Sequence, residues 1–126
     1  MENCCMDDFN EWLQFARFDL EAAQLVHAQN KLPTVVIFHC HQCIEKVLKA
    51  LWIRHGLAIF KTHDVRMLHQ RICDHESWLK EFADGIIDIQ GYFSKTRYPG
   101  GDLLTRDDAA QCMVITEVFF SALTTR

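Results

Sequence analysis

The stretch Phe38–Trp52, FHCHQCIEKVLKALW, decides the fold. Gln42, Glu45, Lys46 and Lys49 recur at spacings of three, one and three, which puts all four on one face of an α-helix. The remaining faces carry Val36, Ile37, Phe38, Cys40, Cys43, Ile44, Val47, Leu48, Leu51 and Trp52. A helix apolar over most of its circumference is normally surrounded by protein. Its acid, amide and two ammonium groups must then face water or a polar ligand, because burying unpaired charge is costly. Solvated stripe and pocket wall are the two readings, and they lead to different functions.

Outward from this stretch the pattern stays helical. Pro33 sits where a first helical turn tolerates it, and Gly56 fits a left-handed stop, so the second helix runs from about residue 33 to about His55. Phe9, Trp12, Leu13, Ala16, Leu20 and Ala23 step at helical spacing, giving a first helix over about 8–29 that Asp7 or Asp8 can cap. Asn30-Lys31 is the joint. Residues 57–63 form a loop. A short helix follows, from Asp64 to about Cys73, with Val65, Leu68 and Ile72 on its apolar side. Ser77 can open the next helix, through Trp78, Leu79, Phe82, Ile86, Ile89 and Phe93. Gly85 and Gly91 weaken it by about 1 kcal/mol each relative to Ala and mark close helix contacts or a break. Pro99 and the following glycines force a turn. Thr105 and Asp108 form a capping box for a last helix toward residue 124. Thr34-Val-Val-Ile-Phe38 is β-branched, but its continuation into a long helical pattern argues against a strand. The expected fold is all-α: an up-and-down antiparallel four-helix bundle with an additional short helix, five helices in one domain over 1–126 with its core at about 8–124.

Size and composition agree. A chain of 126 residues, 49% hydrophobic with nine Phe and three Trp, buries a core without staples. The first residues carry acids where a signal peptide needs bases, and no stretch reaches the ~18 apolar residues of a membrane span. The expectation is a cytoplasmic protein with no membrane role, its six cysteines reduced. The net charge of −4 is segregated. The first 21 residues are strongly acidic, whereas residues 46–71 hold Lys46, Lys49, Arg54, Lys61, Arg66 and Arg71 against Asp64 alone. That suits a small phosphate-bearing ligand or an acidic partner better than duplex DNA.

Each polar constellation has a bland alternative. The Glu45–Lys49 spacing is that of an ordinary i, i+4 ion pair on a solvated face. Lys61-Thr62-His63-Asp64 reads as a helix cap or as a helix N-terminus that receives phosphate. Arg97-Tyr98-Pro99-Gly100-Gly101 is either a turn plugged by Tyr98 or a loop whose Arg grips phosphate while Tyr stacks on a base. Cys40-His-Gln-Cys43 lies two turns inside its helix, where no N-terminus lowers a thiol pKa, so buried small side chains are a better account than a metal or redox centre. No Walker-type loop, Gly-x-Ser-x-Gly or His-Glu-x-x-His is present. The residues alone do not argue for an enzyme or a cofactor.

Taken together, Ala16-Arg-Phe-Asp19-Leu20-Glu-Ala-Ala23, His41-Gln42-Cys-Ile-Glu45-Lys46-Val-Leu-Lys49-Ala50, Lys61-Thr62-His63-Asp64 and Arg97-Tyr98-Pro99 resemble the HEPN (higher eukaryotes and prokaryotes nucleotide-binding) family over about residues 8–124. The resemblance implies a helical bundle, usually a homodimer. Small stand-alone members are often encoded beside a minimal nucleotidyltransferase and are thought to serve it as a nucleotide- or substrate-binding partner in toxin–antitoxin-like pairs. Position by position, the family's polar site falls on Gln42, Glu45, Lys46 and Lys49, with His63, Arg97 and Tyr98 joining at the same bundle end. Many HEPN ribonucleases carry Arg, four to six residues, then His near the final helix. This chain has no His after His75, and Arg66–His69 and Arg71–His75 are too closely spaced.

These readings give a noncatalytic module for an ATP- or GTP-like nucleotide, with Lys46, Lys49 and Arg97 on phosphates, and with itself and a nucleotidyltransferase as protein partners. The joint replacement of Lys46 and Lys49 by Ala is expected to weaken binding without unfolding. Phe119-Phe120 and the surplus of Phe exceed what one small bundle needs, which also points to dimerisation. The rivals are a ribonuclease toxin using His63 with Arg97, and a purely structural dimer.

Overall fold

The computed structural model describes residues 2–58, 61–97 and 103–125, with only the backbone of residues 2–7. Its five α-helices are α1 (Glu2–Ala28), α2 (Pro33–Arg54), α3 (Val65–Ile72), α4 (Ala83–Lys95) and α5 (Arg106–Thr124), with a 3-10 segment, Ser77–Phe82, leading into α4. Every regular element among the described residues is helical.

α2 is the central element and packs against all four other helices. Its buried set of Val36, Ile37, Cys40, Cys43, Ile44, Val47, Leu48, Leu51 and Trp52 leaves little of the circumference for solvent. α1 runs antiparallel to α2. Arg54 lies over the Phe9 ring, Lys49 over Trp12, and Lys46 reaches Asp19. α4 and α5 are antiparallel too, with Phe82 against Phe119 and Tyr92 hydrogen-bonded to Gln111.

Local chemistry sets most boundaries. Pro33 occupies the first turn of α2, entered through Leu32 in a left-handed conformation (φ 52°) after Asn30 in the same region (φ 55°). Gly56 stops α2 at φ 68°, where a side chain would be strained. Asp64 caps α3 by accepting from the Arg66 amide at 3.0 Å. The Thr105–Asp108 box is closed in both directions, at 3.1 and 2.9 Å.

Three expectations need correction. α1 begins at Glu2, so Asp7 and Asp8 lie inside it rather than capping it; the polar start has no apolar period, yet nothing in it breaks a helix. Ser77 opens a 3-10 segment, with α4 starting only at Ala83. Phe119 and Phe120 are buried within the chain's own core, Phe119 between Trp78 and Phe82, and are not free to form an interface. Among the described residues the large rings left exposed are instead Phe15, Phe18 and Phe38. Gly85 does mark a close contact: a Cβ there would stand 3.0 Å from Ile115 Cγ2 of α5.

Candidate functional site

The polar face of α2 meets α1 on one side and the α3–α4 end on the other. Toward α1, Asp19 is 8% exposed and faces His39 Nδ1 at 2.8 Å as well as the Lys46 ammonium. Along α2, Glu45 is 4% exposed; it accepts from Lys49 Nζ at 2.9 Å and faces His63 Nδ1 at 3.2 Å. Lys49, 9% exposed, also lies 5.7 Å from the centre of the Trp12 ring. Two carboxylates and two ammonium groups thus balance one another at a seam between helices. The solvated-stripe reading fails: the i, i+4 pair exists, but it is buried.

His41 ties this seam to the other end of the bundle. Gln90 Oε1 accepts from the Val65 amide at 3.0 Å and lies 3.0 Å from His41 Nε2. An amide oxygen only accepts, so His41 Nε2 carries the hydrogen and Nδ1 is left to accept from Gln42 Nε2 at 3.3 Å. The ring is fully buried and stacks on Phe93, centroids 3.5 Å apart, 6° from parallel. Burial therefore pushes the His41 pKa down, against the hydrogen bond to Gln90 and the Glu45 charge, which push it up.

Arg97 lies 5.5 Å from the opposite partner of that stack, the Phe93 ring. It is at the same bundle end as His41, one aromatic layer removed from the polar seam. Tyr98 and the Pro99–Gly101 turn lie outside the described residues. The tetrapeptide before α3 acts as a cap. Thr62 Oγ1 accepts from the Asp64 amide at 3.1 Å, and the first free amides of α3, those of Val65 and Arg66, are taken by Gln90 and Asp64. The phosphate-receiving reading of this helix start is therefore not supported. His63 is aimed at Glu45 while its side chain stays 64% exposed.

Beside the seam is an open cavity of about 380 Å3 lined by Asp8, Glu11, Trp12, Phe15 and Lys46. Asp8, Glu11, Trp12 and Phe15 are spaced three, one and three apart, so α1 presents them on one face. Lys46 supplies the α2 side.

Cys40 and Cys43 are fully buried free thiols, with Cys40 Sγ 3.6 Å from Met113 Sδ. Burial pushes Cys40 up to about 11 and raises Cys43 as well, which keeps both protonated at neutral pH. Among the described residues no group of three or more His, Cys, Asp or Glu is placed to hold a metal ion.

Reading the sequence missed Asp19, His39, His41, Gln90 and Trp12 as members of this site. Asp19 and Trp12 had a usable signal: a hairpin folded at Asn30-Lys31 sets Trp12 opposite Lys49 and Asp19 opposite Gln42. Gln90 had none, since its place depends on how α4 crosses α2.

The comparisons with known proteins agree with this architecture. The model of the HEPN domain matches residues 9–125, and the chain belongs to that family. It is 29% identical over 118 residues, 81% of this chain and 76% of the other, to a Methanocaldococcus jannaschii protein named "Putative toxin MJ1304". The crystal structure of TT1696 from Thermus thermophilus shares the fold with a TM-score of 0.77, at 20% identity over 90% of this chain and 93% of that one. Among the described residues no helix is long and apolar enough to cross a membrane.

Proposed function

We propose that this HEPN domain is a noncatalytic nucleotide-binding module of a toxin–antitoxin-like pair, acting with a second copy of itself and with a nucleotidyltransferase. The observation that carries the reading is Lys46, an ammonium group at the wall of a cavity that also offers two aromatic rings, Trp12 and Phe15. An ATP- or GTP-like ligand needs those two elements, a cation for phosphate and a flat apolar surface for the base. A volume of about 380 Å3 is within the usual range for small-molecule sites. Lys49, paired with Glu45, lies over the Trp12 ring, and Gln42 shares this face of α2. Arg97 adds a cation at the bundle end, with Tyr98 next to it in sequence. The likeness to the Methanocaldococcus protein named as a toxin supports the toxin–antitoxin setting. Self-association draws support from the exposed α1 side chains Phe18 and Leu25 rather than from Phe119-Phe120.

The internal ion pairs shape how binding works. Lys46 and Lys49 already have carboxylate partners, so an incoming phosphate competes with Asp19 for Lys46. Lys46 is the accessible member, with a quarter of its side chain exposed. The direct test is calorimetric titration of the wild type and Lys46→Ala with ATP and GTP. Binding that is lost in the variant supports the module; equal affinity in both removes the site.

One observation favours a second reading. His63 is exposed and its Nδ1 faces Glu45, the arrangement of a histidine held ready for acid–base work. A ribonuclease of this kind would lack the family's usual Arg-then-His motif. RNA cleavage in the presence of chelator, abolished by His63→Ala, would establish it over the binding module.

A further inference from the structure

The cavity beside Lys46 is chemically polar along its length. Along α1 its lining runs from Asp8 and Glu11 to Trp12 and Phe15, and Lys46, which pairs with Asp19 further along α1, lines it from α2. Both acids are exposed, and neither has a hydrogen bond or ion pair to another described residue. From Glu11 to Asp19 the α1 face runs about 12 Å at the helical rise. A phosphate is attracted to the Lys46 end and repelled by the carboxylates, so a bound nucleotide has one favoured direction: phosphate on Lys46, base on the aromatic floor, base edge toward the acids.

We infer that the site selects a guanine mononucleotide. This rests on the nucleotide-binding reading above and adds the identity of the base. Ionised carboxylates only accept hydrogen bonds, so the edge they meet must donate. Guanine presents two adjacent donors there, N1–H and the N2 amine, in the parallel arrangement that a carboxylate accepts with both oxygens. Adenine places an unprotonated N1 beside its single amine, and cytosine an unprotonated N3. Each would turn a lone pair toward the Asp8 and Glu11 oxygens and strip water from them without return. Hypoxanthine keeps N1–H and lacks the N2 amine, so it stands between.

The test is titration calorimetry with GMP, IMP, AMP and CMP on the wild type and on Asp8→Asn/Glu11→Gln, an exposed pair whose replacement leaves the core untouched. The expected order is GMP, then IMP, then AMP and CMP, with GMP about ten-fold tighter than AMP. The double variant is expected to bring GMP and AMP within about two-fold. Equal binding of GMP and AMP by the wild type overturns the guanine assignment while the nucleotide site stands. A GMP preference that survives the double variant unchanged also overturns it, since the acids would not be its source. Failure of all four to bind, with the protein folded, removes the nucleotide site and the guanine assignment with it.

Discussion

Lys49 Nζ stands 2.9 Å from Glu45 Oε2, one helical turn away on α2, and the two side chains are almost withdrawn from solvent. A pair in this position is not the optional surface contact that its i, i+4 spacing suggests. Exposed pairs of that kind are worth a few tenths of a kcal/mol. A buried charge stripped of its partner is far more costly.

Lys49→Ala is therefore expected to destabilise the fold by about 3 kcal/mol, because it leaves the Glu45 carboxylate buried beside the neutral His41 ring with only His63 to meet it. Removing both charges with Glu45→Gln/Lys49→Met is expected to recover most of the loss. Urea unfolding of the two variants and the wild type reads this out. The result also changes the binding test suggested by the sequence: replacing Lys46 and Lys49 together would confound lost affinity with lost stability, and Lys46 alone is the informative position.

Asp19→Asn is expected to tighten nucleotide binding, by about three- to ten-fold, the weight of one partly exposed charge-assisted contact. Asp19 now occupies the Lys46 ammonium that a phosphate would use. An asparagine keeps a hydrogen bond to the seam without competing as an anion. Titration with the same nucleotide as for the wild type checks it; weaker binding would mean that Asp19 positions Lys46 rather than competing for it.

How much of this was legible in the sequence differs between backbone and site. Pro33, Gly56, Asp64 and the Thr105–Asp108 box each fix a local geometry through their own covalent chemistry, and each stands where that chemistry places it. The start of α1 was not legible because residues 2–7 carry no apolar period, and the 3-10 segment was not because Trp78, Leu79 and Phe82 fit either helix. The site was half legible. Spacing alone gathered Gln42, Glu45, Lys46 and Lys49 on one face. It could not show that Glu45 and Lys49 are buried: their pairing follows from the i, i+4 spacing, but the Trp12 ring and His63 that flank the pair come from α1 and from the segment before α3. His41 and Gln90 read as unremarkable polar residues until α4 crosses α2.

His41 gives the protein a pH dependence of stability whose sign is fixed by burial. Its folded pKa lies below the ordinary 6.5. Below that ordinary value the unfolded chain takes up a proton that the folded chain does not, so unfolding is favoured as pH falls through 6.5 toward the folded pKa. Above 6.5 both states are neutral and the effect vanishes. Asp64 and Glu76, both held below their ordinary values, add a further loss only at lower pH, when their carboxylates protonate. The urea midpoint is expected to drop between pH 7.5 and pH 5.5 in the wild type and to drop less in His41→Gln. A drop of the same size in both would assign the effect to another group.

The two glycines of α4 offer a paired test of the packing. Gly91 has nothing within 4 Å of where a Cβ would stand, so Gly91→Ala adds helix propensity at no steric cost and is expected to stabilise by about 1 kcal/mol. Gly85 faces Ile115, and its new methyl would stand 3.0 Å from Cγ2. The propensity gain is the same, but Ile115 must shift within the α4–α5 contact, which costs about 1 kcal/mol or more. Gly85→Ala is thus expected to be neutral to destabilising, and to become stabilising on an Ile115→Ala background, which lacks Cγ2. Thermal unfolding of these variants decides the point: equal stabilisation by Ala at both positions would mean that α4 and α5 are not held as closely as Gly85 and Ile115 indicate.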